Sequence, residues 1–162
     1  MRIYLASRYS RRLELCGYRE QLRELGHDIP ARWLNGSHQI SIDGKPIGED
    51  GEMLVEDAVA ADRENDGEIS QRAAEMRNRF ALDDFQDVLT CDLLIAFTEP
   101  PRSNSSRGGR HVELGLALGM MKRVFVVGHR ENIFCWLEGV RFFPTWEECL
   151  AKLKAETAKV AV

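Results

Sequence analysis

Gly108-Gly109-Arg110-His111-Val112-Glu113-Leu114-Gly115-Leu116-Ala117-Leu118-Gly119 is the stretch that decides the fold. An apolar, strand-like run, Leu93-Leu94-Ile95-Ala96-Phe97, and a polar loop precede it, and the stretch itself opens an apolar helix. A glycine pair lets the backbone turn sharply and approach a ligand closely. The helix start that follows offers N–H groups without intrahelical partners and a partial positive charge. This reading puts Glu113 in the first turn, where the dipole favours a carboxylate. It is expected to be ionised, which suits a nucleophile; the alternative is an ordinary first-turn acid that stabilises the helix. In an open α/β sheet, ligands bind beyond the carboxyl ends of the strands, and this segment lies there.

Working outward, Arg123 to Val127 is a further apolar strand, and Arg141 to Phe143 a short last one. Thr145 with Glu148 at the third helical position reads as a capping box for a final helix running to about Thr157. Towards the N-terminus, residues 2–6 form a first strand and Ser7 to Ser10 a polar loop. Leu13, Cys16, Leu22 and Leu25 then recur at helical spacing, and Gly26 ends that helix. Asp28 to Leu34 reads as another strand, held to an edge or a strand start by Pro30. A long helix from about Ser70 to Leu89 has Ser70 as its cap and Ala73, Met76, Phe80, Phe85, Val88 and Leu89 on its apolar face. Strands alternating with helices predict a mostly parallel, five-stranded α/β sheet covered on both faces.

Between these elements, about residues 35–69 form an acidic, loop-rich insert. Ile40 to Ile47 reads as a small hairpin around Asp43-Gly44, and Glu49 to Glu68 as a solvated flap or short helix. The flap is either a plain surface loop or a lid over the site.

With 162 residues the chain suits one domain, residues 1–162, with a core of its own. Hydrophobic residues at 44% and charged residues at 30% describe an ordinary globular protein. A net charge of −4 argues against a nucleic-acid polymer as the main partner. No apolar run reaches the ~20 residues that cross a bilayer, so a membrane role is not expected. The N-terminal Met1 to Ala6 enters a strand pattern without a signal-peptide core, and Cys16, Cys91, Cys135 and Cys149 show no paired spacing. A cytoplasmic protein with reduced, mostly buried thiols is expected. The histidines His27, His38, His111 and His129 show no metal-ligand spacing either.

Candidate chemistry concentrates at the strand-to-helix loops. Asp83, Asp84 and Asp92 flank the turn into the central strand, and Asp84 can reach the sheet edge that carries Glu113. Two carboxyls at one site can divide the work, one ionised and attacking, the other kept near neutral to handle a proton. A solvated helix charge at Asp84, and a carboxylate at Asp92 that bonds loop N–H groups, are the plainer alternatives. In the first loop, Ser7, Arg8 and Tyr9 point at the ligand edge. Arg8 can meet a phosphate or carboxylate, and Tyr9 can stack on a base. Ser105, Ser106 and Arg107 form a second anion cradle before Gly108 and Gly109. Trp33 is either an aromatic wall for a base or core filler, and His111 sits on the rim. Neither loop is a phosphate-binding P-loop, and the first strand lacks a dinucleotide-binding GxGxxG.

Three pieces in this order carry a resemblance. They are Ile3-Tyr4-Leu5-Ala6-Ser7, the run from Asp84 through Asp92 into Leu93-Leu94-Ile95, and Gly109-Arg110-His111-Val112-Glu113-Leu114-Gly115 with the strand that follows. The chain is similar to the nucleoside 2-deoxyribosyltransferase family, including its nucleotide N-glycoside hydrolase branch. The resemblance implies a flavodoxin-like (Rossmann-like) three-layer sandwich, assembled as a homodimer or higher homo-oligomer whose sites borrow residues from a neighbour. It implies Glu113 as nucleophile on the anomeric carbon, Asp84 as the proton-handling group, and a nucleoside or nucleotide and nucleobase as small-molecule partners. Ser7, Arg8, Tyr9, Trp33, Asp92, Ser105, Ser106, Arg107, Gly108 and Gly109 are the expected binding residues, and the chemistry implied needs no metal or organic cofactor. Family transferases often end in an aromatic residue whose carboxylate reaches the site, whereas this chain ends Lys159-Val160-Ala161-Val162. The acceptor therefore stays open between a second base and water. A 5′-phosphate grip at Arg8 and Ser106 points to the hydrolase branch.

Overall fold

Three continuous apolar runs and one short one build the sheet. In the computed structural model, which describes residues 1–36, 71–100 and 108–160, they are β1 (Ile3–Ala6), β2 (Leu93–Phe97), β3 (Arg123–Val127) and β4 (Val140–Phe143). All three pairings are parallel, in the order β1-β2-β3-β4, with Tyr4 opposite Leu94 and Leu94 opposite Val124. Strands buried on both faces need no polar side, which is why the runs read as unbroken apolar sequence. Every residue of β1 and β2 is fully buried.

Among the described residues, four helices cover the faces: α1 (Arg12–Glu24), α2 (Gln71–Thr90), α3 (Gly109–Gly119) and α4 (Trp146–Val160). Tyr18 of α1 stacks on Trp146 of α4 at 4.5 Å and on Phe97 at 5.4 Å, and Trp146 Nε1 donates to Gln21 Oε1, so α1 and α4 share one face. Tyr4 and Phe97 point to opposite faces, because the register pairs Tyr4 with Leu94, three residues before Phe97. On the Tyr4 side lie α2 and α3. Gly26 in the left-handed region (φ 79°) follows the end of α1, and Thr145 Oγ1 accepts from the Glu148 N–H at 3.3 Å at the start of α4. Both ends agree with the sequence reading.

Other expectations are corrected. Among the described residues the sheet has four strands, not five. Asp28 to Leu34 makes a single parallel bridge, Arg2 with Asp28, and then a 3-10 turn, Arg32–Asn35. The cause is local. Pro30 has no N–H to donate, and Trp33 Nε1 instead bonds the Leu5 carbonyl at 2.9 Å on the outer edge of β1. A side chain thus supplies a bond that a fifth strand would have made. On α1 it is Leu15 and Leu22 that are buried, while Leu13 is exposed. On α2, Phe85 and Leu89 are exposed, and Asp87 and Val88 face the core. Ser70, the hairpin at Ile40 to Ile47 and the acidic flap lie outside the described residues. Cys91, Cys135 and Cys149 are buried free thiols and Cys16 is half-buried.

Candidate active site

The winding of the chain creates the crevice. From β1 the chain enters α1 on one face, and from β2 it enters α3 on the other. The loops after β1 and β2 therefore part at the point where adjacent strands send their helices to opposite faces, and ligands bind at such a switch point. Ser7 and Arg8 lie in the first loop, Thr98 and Glu99 at the start of the second. Gly108, with φ 85°, turns the backbone into α3 in a conformation that side-chain-bearing residues rarely adopt.

Beneath the crevice, on the α2–α3 side, three side chains converge. The Tyr4 hydroxyl donates to Glu113 Oε1 at 2.7 Å and also hydrogen-bonds Asp84. Glu113 Oε2 is buried with no hydrogen-bond partner among the described residues. Burial pushes the Glu113 carboxyl up to about 8; the Asp84 charge adds to this, while the Tyr4 hydrogen bond and the Arg110 charge oppose it. Asp84 is pushed up to about 7, again chiefly by burial, with Asp87 and Asp83 adding and the Tyr4 bond and Arg32 opposing. Tyr4 itself is raised well above its ordinary value, first by burial and then by the negative charge of its two partners. Two neighbouring acids with raised affinity for protons, joined by one phenol, titrate as a unit. Such a set can hold one proton near neutrality and can move it between the two carboxyls.

The expectation that Glu113 is an ionised first-turn acid is corrected here. Helix α3 begins at Gly109, so Glu113 sits one turn further in, past the unpaired N–H groups. Desolvation outweighs the dipole and keeps the carboxyl protonated more readily, not less. For Asp84, the expectation of a group held near neutral agrees with the structure.

A second network frames the mouth. Arg110 is buried and sends Nη1 to the Phe97 carbonyl at 3.1 Å, and Nη2 to both oxygens of Glu131 at 2.7 Å each. Glu131 Oε2 also accepts the Glu99 N–H at 3.2 Å, and His111 Nδ1 lies 3.5 Å from Glu131 Oε1 on the rim. One carboxylate from the loop after β3 thus fastens the end of β2 to the start of α3. On α2, Arg32 holds Asp83 at 2.6 Å and Asp87 at 2.9 Å, which fixes the helix that presents Asp84.

The expected binding residues divide. Ser7 has its hydroxyl buried with no partner among the described residues. Arg8 Nε faces Glu99 Oε1 at 3.3 Å. Tyr9 spends its hydroxyl on the Gly36 carbonyl at 3.0 Å, with its ring 6.1 Å from Trp33. Trp33 is 5% exposed and holds the edge of β1, so it packs the core and is not an open aromatic wall. Asp92 is not brought to the crevice. It precedes β2 at the amino end of the sheet, is exposed, and accepts the Arg2 N–H at 2.8 Å. Ser105, Ser106 and Arg107 lie outside the described residues. Sequence reasoning missed Tyr4, Glu99, Glu131 and Arg110. Tyr4 carried a signal, since a phenol inside an apolar strand has to find a partner for its hydroxyl.

An apolar cavity of about 510 Å³ lies elsewhere, between α3 and the 3-10 turn Ile133–Trp136. His111, Leu114, Gly115, Leu118, Asn132, Phe134 and Leu137 line it, and Glu113 does not.

No protein-family model matches the chain, and no curated protein matches it by sequence. Solved structures do match. A CMP N-glycosidase of Clostridium botulinum, BcmB, aligns over 94% of this chain and 98% of its own, with TM-score 0.50 and 20% identity. A 2-deoxyribosyltransferase of Bacillus psychrosaccharolyticus aligns over 94% of this chain and 96% of its own, with TM-score 0.59 and 18% identity. The chain shares the fold of these two enzymes along nearly its whole length.

Proposed function

We propose that this protein cleaves the N-glycosidic bond of a 2′-deoxyribonucleoside or its 5′-monophosphate through a covalent glycosyl-enzyme on Glu113. The observation that carries the reading is the Tyr4 hydroxyl bonded to two half-buried acids, to Glu113 at 2.7 Å and to Asp84. A pure binding module has no need of two acids with raised proton affinity at a ligand crevice. The fold shared with an N-glycosidase and a deoxyribosyltransferase supports the same class of chemistry.

In the first step the ionised Glu113 attacks C1′, and the bond from C1′ to the base nitrogen breaks. Its electron pair leaves with the base, which takes a proton from Asp84. The step needs the proton of the carboxyl pair on Asp84 and the charge on Glu113, and the Tyr4 hydroxyl, which donates to Glu113 Oε1, favours that charge. In the second step a base nitrogen or a water attacks C1′ and returns its proton to Asp84, and the Glu113 ester bond breaks. Two successive displacements, each inverting C1′, retain the anomeric configuration overall. With a second base the reaction is deoxyribosyl transfer; with water it is hydrolysis to base and sugar or sugar phosphate.

Incubation with deoxynucleosides and their monophosphates, with and without a second base, tests the proposal by the release of free base. A new nucleoside marks transfer; free sugar or sugar phosphate marks hydrolysis. A mass gain equal to one glycosyl residue, mapped to Glu113 with a slow 2′-fluoro substrate, tests the covalent step. Absence of free base from every substrate sinks the reading. We also propose a homo-oligomer. Leu82, Phe85 and Leu89 form an exposed apolar stripe on α2, at helical spacing. A monomer by light scattering at assay concentration refutes this.

A further inference from the structure

Two arginines and one glutamate meet across the mouth of the crevice. Arg8, in the loop after β1, has Nε 3.3 Å from Glu99 Oε1. Arg11, in the 3-10 turn Tyr9–Arg11, has Nη1 3.4 Å from the same oxygen. Glu99 lies just beyond β2, so the contact spans the two loops that part at the switch point. The Glu99 side chain is 11% exposed, and those of Arg8 and Arg11 are 32% and 21% exposed. Arg11 is further held by Glu14, with bonds of 2.8 and 2.6 Å, and lies over the Phe97 ring at 5.6 Å. Glu99 is fixed from behind by its own N–H on Glu131.

Two guanidinium groups at a ligand edge are the usual makings of an anion site. Here the anion belongs to the protein. Glu99 stands at ion-pair distance from Arg8, whose Nε makes no hydrogen bond among the described residues, and Glu99 with Glu14 takes the charge of Arg11. A phosphate entering this mouth has to displace a carboxylate that is already desolvated and anchored, or lie against it. A neutral hydroxyl meets neither demand, and Glu99 can accept a hydrogen bond from it.

We propose that Glu99 is a specificity-determining residue: a built-in counter-anion that keeps the arginine pair from serving as a phosphate site and so favours a substrate whose sugar end carries a free hydroxyl. This rests on the nucleoside-or-nucleotide reading above and narrows it to the nucleoside. Removing the charge at Glu99 while keeping its shape turns the pair Arg8 and Arg11 into an exposed anion site.

The alternative is that the ion pair only fastens the two loops together. The two accounts differ in what Glu99→Gln does. A fastening role lowers activity on a nucleoside and on its 5′-monophosphate by the same factor. The counter-anion role changes their ratio. We expect Glu99→Gln to raise kcat/KM for the monophosphate relative to the nucleoside by about tenfold to a hundredfold, the range of one charge-assisted hydrogen bond. Arg8→Ala in the Glu99→Gln background should abolish that gain.

Calorimetric titration with inorganic phosphate gives a readout that needs no turnover. Wild type should show no measurable binding at millimolar phosphate, and Glu99→Gln should bind. A ratio unchanged within threefold, or a variant that still does not bind phosphate, overturns the proposal. Wild type alone also decides it if the variant fails to fold: binding of inorganic phosphate, or preference for the monophosphate, overturns the proposal, and the reverse supports it. Lack of turnover on every nucleoside and nucleotide refutes the glycosidic reading instead, and the phosphate titration still reports on Glu99.

Discussion

Replacing Tyr4 by Phe removes one oxygen and leaves the ring in the core, so it tests the carboxyl site without opening a cavity. The hydroxyl donates to Glu113 Oε1 at 2.7 Å and lowers the proton affinity of both Glu113 and Asp84. A hydrogen bond to a charged group contributes roughly 1.5–3 kcal/mol, which corresponds to about one to two pKa units. Glu113 already stands at about 8 through burial, and losing the bond moves it higher. The nucleophile has to be ionised, so its rate rises with pH through this pKa. Tyr4→Phe therefore displaces the ascending limb of kcat/KM upward by about one to two units. At pH 7 the activity should fall about tenfold to a hundredfold, and the loss should shrink as the pH approaches 10. The assay is free-base release between pH 5 and pH 10 for both proteins, with thermal melts to confirm the fold. A loss of the same size at every pH refutes the argument, because it would mean that the hydroxyl positions substrate and does not tune the acids.

Glu113→Gln should reduce turnover by at least about a thousandfold, the scale of losing a covalent nucleophile; a variant retaining a tenth of the activity excludes that role. The same variant carries a stability signature. A carboxyl whose folded pKa is raised from 4.5 to about 8 contributes stability that is complete below the lower value and is lost as pH rises through the higher one. Glu113→Gln does not titrate, so its melting temperature should overtake wild type above pH 8, and a constant difference from pH 4 to 9 would contradict the burial argument. Asp84→Asn should impair poor leaving groups more than good ones, since an amide cannot supply an acidic proton; equal losses assign Asp84 a positioning role. Glu131→Gln leaves the Arg110 guanidinium, 2% exposed, without its counter-charge and should destabilise the fold by about 3–5 kcal/mol in urea unfolding. A change below about 1 kcal/mol would show that the pair does not hold β2 to α3.

The parts of the fold that were legible in the sequence are those where one physical rule acts alone. Strands β2 and β3 must be buried on both faces, and nothing but apolar sequence does that, so Leu93–Phe97 and Arg123–Val127 read correctly. Gly26 and Thr145 mark helix ends through backbone freedom and capping, which are also local. Asp28 to Leu34 misled because its apolar content is real but its partner is a side chain. Trp33 contributes to the edge of β1 through an indole N–H, and no periodicity reports that. Phe85 and Leu89 misled in the other direction, as apolar residues on the outer side of α2, where Asp87 takes the inner place against Arg32.

Glu113 and Asp84 stood out by their positions around a strand and a glycine turn; the raised proton affinity of Asp84 was anticipated, and that of Glu113 was not. The helix start at Gly109 is legible in the sequence, but not that a carboxyl four residues further in is desolvated. The arginines show the same gap more sharply. Arg8, Arg11 and Arg110 each lie near the ligand edge, and from sequence Arg8 is a candidate grip for an anion. In the structure each already has a carboxylate: Glu99 for Arg8, Glu14 and Glu99 for Arg11, Glu131 for Arg110. The partners Glu99 and Glu131 sit in loops after different strands, so no spacing rule links them to the residues they neutralise. Burial is the main cause of the raised proton affinity of Glu113 and Asp84, and it is offset first by Tyr4 and less by Arg110 at Glu113 and Arg32 at Asp84. The proton affinity of these two carboxyls is therefore raised by burial within the fold and offset chiefly by one phenol on β1.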